Sequence, residues 1–368
     1  MASTDPIGRR TAVSLLLAAT AAPTSSVLAQ VELLPSGDAA HENTAEAATR
    51  EGAVVVWATT DEAEADDLLA GFRALYPGVR VEYVKMNSAD LYDQFLSDAA
   101  AARGATGTAD VLWSSAMDLQ IKLVNDGYAR PYASPETAAL PGWAVWRDEA
   151  FGVTAEPVAF VYNRRLLPEA RVPRTHAAFA RELAADPEAW KGKVAAYDVE
   201  RSGAGFLFLT QDVEATPRTW DLVRAMGQAG VKLYANTETM LDRVAGGEQL
   251  LAYDVLGSYA MERAKSEPAL GVVLPSDYTI VVSRIALIPA AARHPNAARL
   301  FLDHLLSRDG QQQLAARSLT PVRPDARAGT ELSGALRPIP VGPELMTYLD
   351  QIKRDRFLKQ WRRAIEGR

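Results

Sequence analysis

The sequence alternates short runs of β-branched and aromatic residues with amphipathic segments, and this alternation restricts the chain to few folds. The run Ala53–Ala58 has no polar side chain, which is typical of a strand buried on both faces. Residues 65–76 then place four large apolar side chains on one helical face, and residues 79–84 alternate apolar and polar side chains. The pattern predicts a strand, a helix and a second strand, which is the unit of a parallel sheet.

The same pattern recurs along the chain. Residues 109–113, 193–197 and 250–255 are further buried-type strands, and each is followed by a segment with helical periodicity. We therefore predict an α/β fold with largely parallel sheets. Two long β-rich stretches, 151–163 and 279–287, interrupt the alternation. We interpret them as places where the chain crosses between two lobes, near Thr154 and near Tyr278.

The first fifty residues do not continue this pattern. Arg9 and Arg10 precede an apolar run of about eleven residues, and small residues lie before Gln30, as in a cleaved signal peptide. Residues 1–29 are therefore predicted to be a signal peptide, exported by either the Sec or the twin-arginine route, and 30–50 a flexible leader. The mature protein is expected in the periplasm.

Composition excludes several functional classes. The chain has 39 basic and 46 acidic residues, a net charge of -7, and no cysteine. An acidic chain is a poor match for nucleic acid, and thiolate metal sites and cysteine nucleophiles are impossible. The histidines lack metal-ligand spacing, and no phosphate-binding loop, dinucleotide fingerprint or nucleophile elbow occurs. We predict no enzyme, cofactor or metal site, with a periplasmic enzyme that uses a carboxylate base as an alternative.

Small hydroxyl and glycine residues follow four of the predicted strands, at the point where a helix begins. Helix N-termini present unpaired N–H groups and positive dipole ends, and such turns line the ligand crevice of open α/β sheets. Each cluster taken alone could simply cap its helix. Together they predict an anion site, in which an aspartate and a tyrosine near the fourth turn contact the uncharged part of the solute. The predicted site residues are Thr59, Thr60, Ser114, Ser115, Ser202, Gly203, Asp254, Ser258 and Tyr259.

The last segment, residues 331–368, contains a long amphipathic helix with a basic face. Such a helix can lie on a membrane. In an acidic exported protein we expect it instead to pack onto one of the lobes.

Several motifs, in this order, resemble the solute-binding proteins of ABC importers in the type 2 periplasmic-binding-protein fold, within the branch labelled iron(III)-type. The resemblance spans about residues 52–322. It rests on Tyr-Pro-Gly-Val at 76–79, Ala-Asp-Val-Leu-Trp-Ser-Ser at 109–115, Asn-Asp-Gly-Tyr-Ala-Arg-Pro-Tyr at 125–132, Val-Ala-Gly-Gly-Glu at 244–248, and the helix at 294–307.

The resemblance implies two α/β lobes joined by a two-stranded hinge, with a ligand cleft between them. Residues 51–154 and 279–330 would form one lobe and residues 155–278 the other. It also implies a monomeric receptor, without enzymatic activity, that delivers its solute to a permease in the inner membrane. A receptor that reports to a membrane kinase is an alternative.

One departure from the family pattern concerns the solute. Ferric-binding members carry two adjacent tyrosines where this chain has Gly257, Ser258 and Tyr259. Other members of the branch bind phosphorylated or phosphonate solutes through hydroxyl and N–H groups. We therefore predict a small anionic solute bearing phosphate, phosphonate or carboxylate. The alternative is ferric ion held by Tyr253, Asp254 and Tyr259 with a synergistic anion.

Overall fold

Strands and helices alternate through the computed structural model, which describes residues 37–102, 109–327 and 335–367. The predicted signal peptide and residues 30–36 of the predicted leader lie outside these ranges. The strands are β1 (Ala53–Ala58), β2 (Arg80–Lys85), β3 (Val111–Ser114), β4 (Val145–Trp146), β5 (Ala150–Gly152), β6 (Glu156–Asn163), β7 (Val194–Tyr197), β8 (Lys232–Tyr234), β9 (Leu251–Leu256), β10 (Leu270–Val273), β11 (Thr279–Val282), β12 (Ile285–Leu287) and β13 (Leu336–Pro338).

The helices occupy most of the segments in which helical periodicity was found. They are α1 (Gly37–Glu51), α2 (Glu62–Leu75), α3 (Ser88–Ala102), α4 (Met117–Asn125), α5 (His176–Ala185), α6 (Gly203–Ala215), α7 (Thr219–Gln228), α8 (Thr237–Ala245), α9 (Gly257–Ser266), α10 (Pro295–Leu306), α11 (Arg308–Ala316) and α12 (Gln351–Ile365). Short 3-10 helices lie at Pro135–Ala139, Gly142–Ala144, Glu169–Arg171, Pro324–Ala326 and Pro343–Leu349.

The strands form two mixed sheets, which confirms the predicted two-lobed α/β fold. The expectation of largely parallel sheets is wrong: six of the eleven pairings among the described strands are antiparallel, mainly because β6 and β12 run opposite to their neighbours. The first sheet has the order β2-β1-β3-β12-β5-β4, with β1 parallel to both of its neighbours. The second has the order β13-β11-β6-β9-β7-β8, and β10 also pairs with β6. β1 is apolar throughout and β3 is buried along its whole length, as expected for strands covered on both faces of a sheet.

Two adjacent segments carry the chain between the sheets. The chain leaves the first sheet after β5 and enters the second at β6, and it returns between β11 and β12. The two crossings are hydrogen-bonded to each other, from Val153 N–H to the Arg284 carbonyl at 2.8 Å and from Arg284 N–H to Thr154 Oγ1 at 2.9 Å. β11 pairs with β6, so the return crossing follows Val282, whereas the sequence placed the boundary before residue 279.

The segment expected to be a flexible leader is helical from residue 37 onward. The Glu51 carboxylate at the end of α1 accepts hydrogen bonds from the backbone N–H groups of Asn296 at 3.0 Å and Ala297 at 2.8 Å. These groups belong to the first turn of α10, whose own N-cap, His294, makes no side-chain cap bond. The helix is thus held by a tertiary contact that local periodicity does not reveal.

The basic helix α12 packs onto α7 in the second lobe. Its apolar face buries Phe357 and Trp361, and Phe357 lies 5.3 Å from Trp220 between ring centroids. Most of its basic side chains face outward. Within the described ranges, no helix has the length and apolar character needed to cross a membrane.

Candidate ligand-binding site

A cavity of about 540 Å³ is lined by residues of both lobes and of the crossings between them. Thr59 follows β1 and Ser115 follows β3 on the side of the first sheet, while Gly203 and Leu256 come from the second lobe. Val282 ends β11, and Arg284 lies in the return crossing that follows it. The cavity therefore lies at the carboxyl ends of strands, where ligands bind in open α/β sheets.

Three hydroxyl groups form a cluster on the first-lobe wall of this cavity. The backbone N–H of Ser115 donates to Thr59 Oγ1 at 2.9 Å, and the Thr59 hydroxyl lies 3.3 Å from Ser115 Oγ. Ser88 Oγ is 3.4 Å from Ser115 Oγ. The hydroxyls of Thr59, Ser88 and Ser115 can therefore turn together toward an acceptor on a solute.

The start of α6 in the second lobe lines another part of the cavity. The Ser202 hydroxyl caps the helix by accepting from Gly205 N–H at 3.1 Å, and Ser202 itself is buried. Gly203 and Ala204 then line the cavity with their backbone. N–H groups in the first turn of a helix have no carbonyl partner within the helix, and they carry the positive end of its dipole. This wall can bind an anionic group.

A buried ionic network joins the two lobes at the floor of the cavity. Arg284 donates from Nε to Glu156 Oε1 at 3.0 Å, and from Nη1 to Thr60 Oγ1 at 2.9 Å and to Glu64 Oε2 at 3.2 Å. Glu156 also accepts from Ser258 at 2.5 Å. Thr60 and Glu64 belong to the first lobe, and Glu156 and Ser258 to the second, so the guanidinium bridges the hinge.

The electrostatics of this network differ between its two carboxylates. Burial alone raises the pKa of Glu156, but the Arg284 charge and hydrogen bonds from Arg284, Ser258 and Thr154 lower it below its ordinary value. For Glu64, burial outweighs Arg284 and its pKa is raised. Arg284 already pairs with two carboxylates, one from each lobe. It therefore links the two lobes and is not a free cation for a solute.

The structure separates the sequence-predicted site residues into three groups. Four line the cavity: Thr59, Ser115, Gly203 and Tyr259. Four are buried behind its walls and hold them in place. Thr60 binds Arg284, Ser114 accepts from Ala116 N–H, Ser202 caps α6, and Ser258 donates to Glu156. Asp254 alone lies elsewhere.

Asp254 belongs to a polar cluster inside the second lobe. The residue adopts a left-handed backbone with φ of 57°, and its side chain is buried. Burial and the neighbouring Asp212 carboxylate raise its pKa well above the ordinary aspartate value. The adjacent Tyr253 points into the same interior, where its hydroxyl donates to Asp212. Neither residue lies with Tyr259 on the cavity wall.

The sequence did not indicate that the carboxy-terminal segment contributes to this site. Glu344, Tyr348 and Arg354 line the cavity, although they come from the last 3-10 helix and α12. The Arg354 guanidinium lies 4.1 Å from the centroid of the Phe206 ring, and no ion pair to it is found in the described ranges. Arg354 is thus a cation that a solute could reach.

The sequence contains a signal for one of the missed residues, Arg284, but none for Arg354. Arg284 is the single charge in the apolar stretch 279–287, which is unusual for a buried strand and indicates a buried partner. Arg354 is one of many basic residues on an amphipathic helix, and its spacing does not distinguish it from its neighbours. Only tertiary packing brings it to the cavity.

The described site can be compared with known proteins. The family model of bacterial extracellular solute-binding proteins matches residues 67–335. A solved substrate-binding protein of an ABC transporter from Agrobacterium tumefaciens is 40% identical, with a TM-score of 0.75, covering 85% of this chain and 94% of that one. No curated protein matches the chain.

More distant solved structures share the fold. Iron-bound HitA from Pseudomonas aeruginosa is 19% identical, with a TM-score of 0.65, and the match covers 85% of this chain and 99% of that one. The Bordetella ferric binding protein is also 19% identical, with a TM-score of 0.65, covering 86% and 100%. At 19% identity, these similarities show a shared fold only.

Proposed function

The chain belongs to the family of bacterial extracellular solute-binding proteins, and on that premise we propose that its solute is a small organic anion bearing a phosphate, phosphonate or carboxylate group. Proteins of this kind deliver solutes to the permease of an ABC importer. The observation that supports an anion is the cavity of about 540 Å³, whose lining includes both a hydroxyl cluster and the first turn of α6.

The donors of this cavity suit an anionic oxygen group. Thr59, Ser88 and Ser115 offer hydroxyl protons from one wall, and the backbone of Gly203 and Ala204 offers N–H groups from the other. Helix N-termini bind phosphate and carboxylate in this way without a basic field. That mode of binding is compatible with a chain whose net charge is -7.

The remaining lining suits an organic body. Small-molecule sites commonly measure about 300–1,000 Å³, and this cavity lies within that range. Phe206, Tyr259 and Tyr348 provide aromatic surface. Arg354 provides a positive charge in addition to the positive end of the α6 dipole. A single ion would leave most of such a volume to water.

Capture would proceed by hinge closure. Donors on opposite walls can contact one solute together only when the lobes approach, so the solute stabilises the closed form through contacts that the open form lacks. The two hydrogen-bonded crossings and the Arg284 network are the elements about which the lobes would move.

Ferric ion is the second candidate, because the fold is shared with iron-bound HitA and with the ferric binding protein of Bordetella. Fe(III) is a hard ion that phenolate and carboxylate oxygens bind. Tyr259 lines the cavity, but Tyr253 and Asp254 are directed into the second-lobe interior. A ferric site here would therefore rely on Tyr259 and a synergistic anion.

A thermal-shift screen separates the two candidates. A solute present at about 100 times its Kd should raise the free energy of unfolding by roughly 2.7 kcal/mol. We expect stabilisation by one or more phosphorylated, phosphonate or carboxylate solutes, weakened in Ser115→Ala and retained in Ser266→Ala, a control hydroxyl that does not line the cavity. If Fe(III) with citrate stabilises the protein, and no anion does so alone, the ferric candidate is correct.

A further inference from the structure

A second cluster of chemically active groups lies inside the second lobe. His176 begins α5, Asp212 lies on α6, and Asp254 lies on β9, and one ligand atom from each lies within 4.8 Å of the others. All three residues are less than a tenth exposed. None lines the large cavity, so the cluster is separate from the proposed solute site.

The imidazole of His176 is oriented by a carboxylate on its outer side. Asp277 Oδ1 lies 3.0 Å from His176 Nδ1, and Asp277 Oδ2 accepts from the His176 backbone N–H at 2.9 Å. This pairing places the proton on Nδ1 and leaves the lone pair of Nε2 facing the cluster. A carboxylate behind a histidine is the usual arrangement around a metal-binding imidazole.

The distance across the cluster fits a bridging ion better than a direct hydrogen bond. His176 Nε2 and Asp212 Oδ1 are 3.7 Å apart, which is too long for a hydrogen bond. Two ligands bound tetrahedrally at ordinary zinc distances are about 3.4 Å apart. Asp212 Oδ1 is buried and has no hydrogen-bond partner in the described ranges, whereas its Oδ2 accepts from Tyr253.

The charge of the cluster is uncompensated. Asp212 and Asp254 bring two carboxyl groups into an apolar core, and no arginine or lysine in the described ranges forms an ion pair with either. A buried pair of carboxylates requires a cation or a proton between them. A divalent cation would balance both carboxylates, whereas one proton would leave a negative charge, and the unpartnered Asp212 oxygen and the facing Nε2 favour the cation.

We propose that His176, Asp212 and Asp254 bind one divalent cation of the borderline class, such as Zn²⁺, as a structural site. One nitrogen and two carboxylate oxygens suit this class, and a water molecule can occupy a fourth position. The ion would tie α5, α6 and β9 together in the second lobe. Sequence spacing could not reveal this site, because its ligands come from three distant segments.

The test measures metal content and stability on the full chain. After purification without chelators, elemental analysis should find one zinc-class ion per chain in the wild type and less than a tenth of that in His176→Gln and Asp254→Asn. Chelation should lower the Tm, and added Zn²⁺ should restore it. His294→Gln is the matched control, because His294 also pairs with a carboxylate, Asp110, and should retain the ion.

A metal-free wild type whose Tm does not respond to Zn²⁺, Mn²⁺ or Fe²⁺ would overturn the proposal. In that case no ion joins the two carboxyl groups, and Asp254→Asn, which removes one of them, should be at least as stable as the wild type. The measurement on the wild type decides the question even if a variant fails to fold.

Discussion

At the scale of single residues, Arg284 has the largest expected effect on stability. Its guanidinium is buried and contacts two carboxylates and a hydroxyl that come from both lobes. Removing one partner of a buried ion pair leaves an uncompensated charge, which costs far more than an exposed pair contributes.

We expect Arg284→Met to lower the free energy of unfolding by about 3–5 kcal/mol, because Glu156 would remain buried without its counter-ion. Urea unfolding followed by circular dichroism measures this loss. Arg317→Met is the control, since Arg317 pairs with Asp67 at the surface and its loss should change the stability only slightly. Equal losses for the two variants would show that the hinge network is not stabilising.

His304 predicts a dependence of stability on pH. Burial lowers its pKa, and the ring lies 3.0 Å from the Leu68 carbonyl through Nε2. A histidine with a lowered pKa in the folded state is protonated first in the unfolded state. Its contribution is therefore complete above its unfolded pKa of about 6.5, and it is lost as the pH falls below that value.

The corresponding experiment compares the wild type with His304→Gln between pH 5 and pH 8. The free energy of unfolding of the wild type should fall more steeply below pH 6.5 than that of the variant, which retains a hydrogen-bond donor but does not titrate. Parallel pH profiles would mean that His304 accepts its proton equally well in the folded protein.

At the scale of elements, the carboxy-terminal segment is the main addition to the predicted site. The last 3-10 helix packs against α4 and α12 packs against α7, so the segment contacts both lobes beside the cavity. Arg354 reaches the cavity from this segment.

We expect Arg354→Gln to weaken binding of an anionic solute roughly 10- to 100-fold, because a charge-assisted hydrogen bond contributes about 1.5–3 kcal/mol. Arg356→Gln on the exposed face of α12 should leave the affinity unchanged. Calorimetric titration of both variants provides the comparison. An unaffected affinity in Arg354→Gln would assign this arginine to packing against Phe206 alone.

The elements also show how far local sequence patterns reach. Apolar periodicity predicts β1, α2 and β3, because each buries a face that its own residues define. It does not predict α1, which is held by Glu51 at the start of α10, 245 residues along the chain. The direction of Asp254 depends on a left-handed backbone in β9, which strand alternation does not anticipate. Contacts between distant segments determine these features.

At the scale of the whole molecule, two lobes, two hydrogen-bonded crossings and a shared cavity make closure around a solute the expected motion. A bound solute should therefore reduce the radius of gyration measured by small-angle X-ray scattering, because donors on both walls must reach it together. An unchanged radius of gyration with saturating solute would indicate binding to a preformed, static cavity.

The solute that co-purifies with the protein can be identified directly. Natively purified protein can be denatured, and the released molecules can be analysed by mass spectrometry together with the metal content of the protein. We expect one small organic anion, bearing phosphate, phosphonate or carboxylate, in an amount close to that of the protein. Equimolar Fe(III), with no organic solute beyond a synergistic anion, would contradict this expectation.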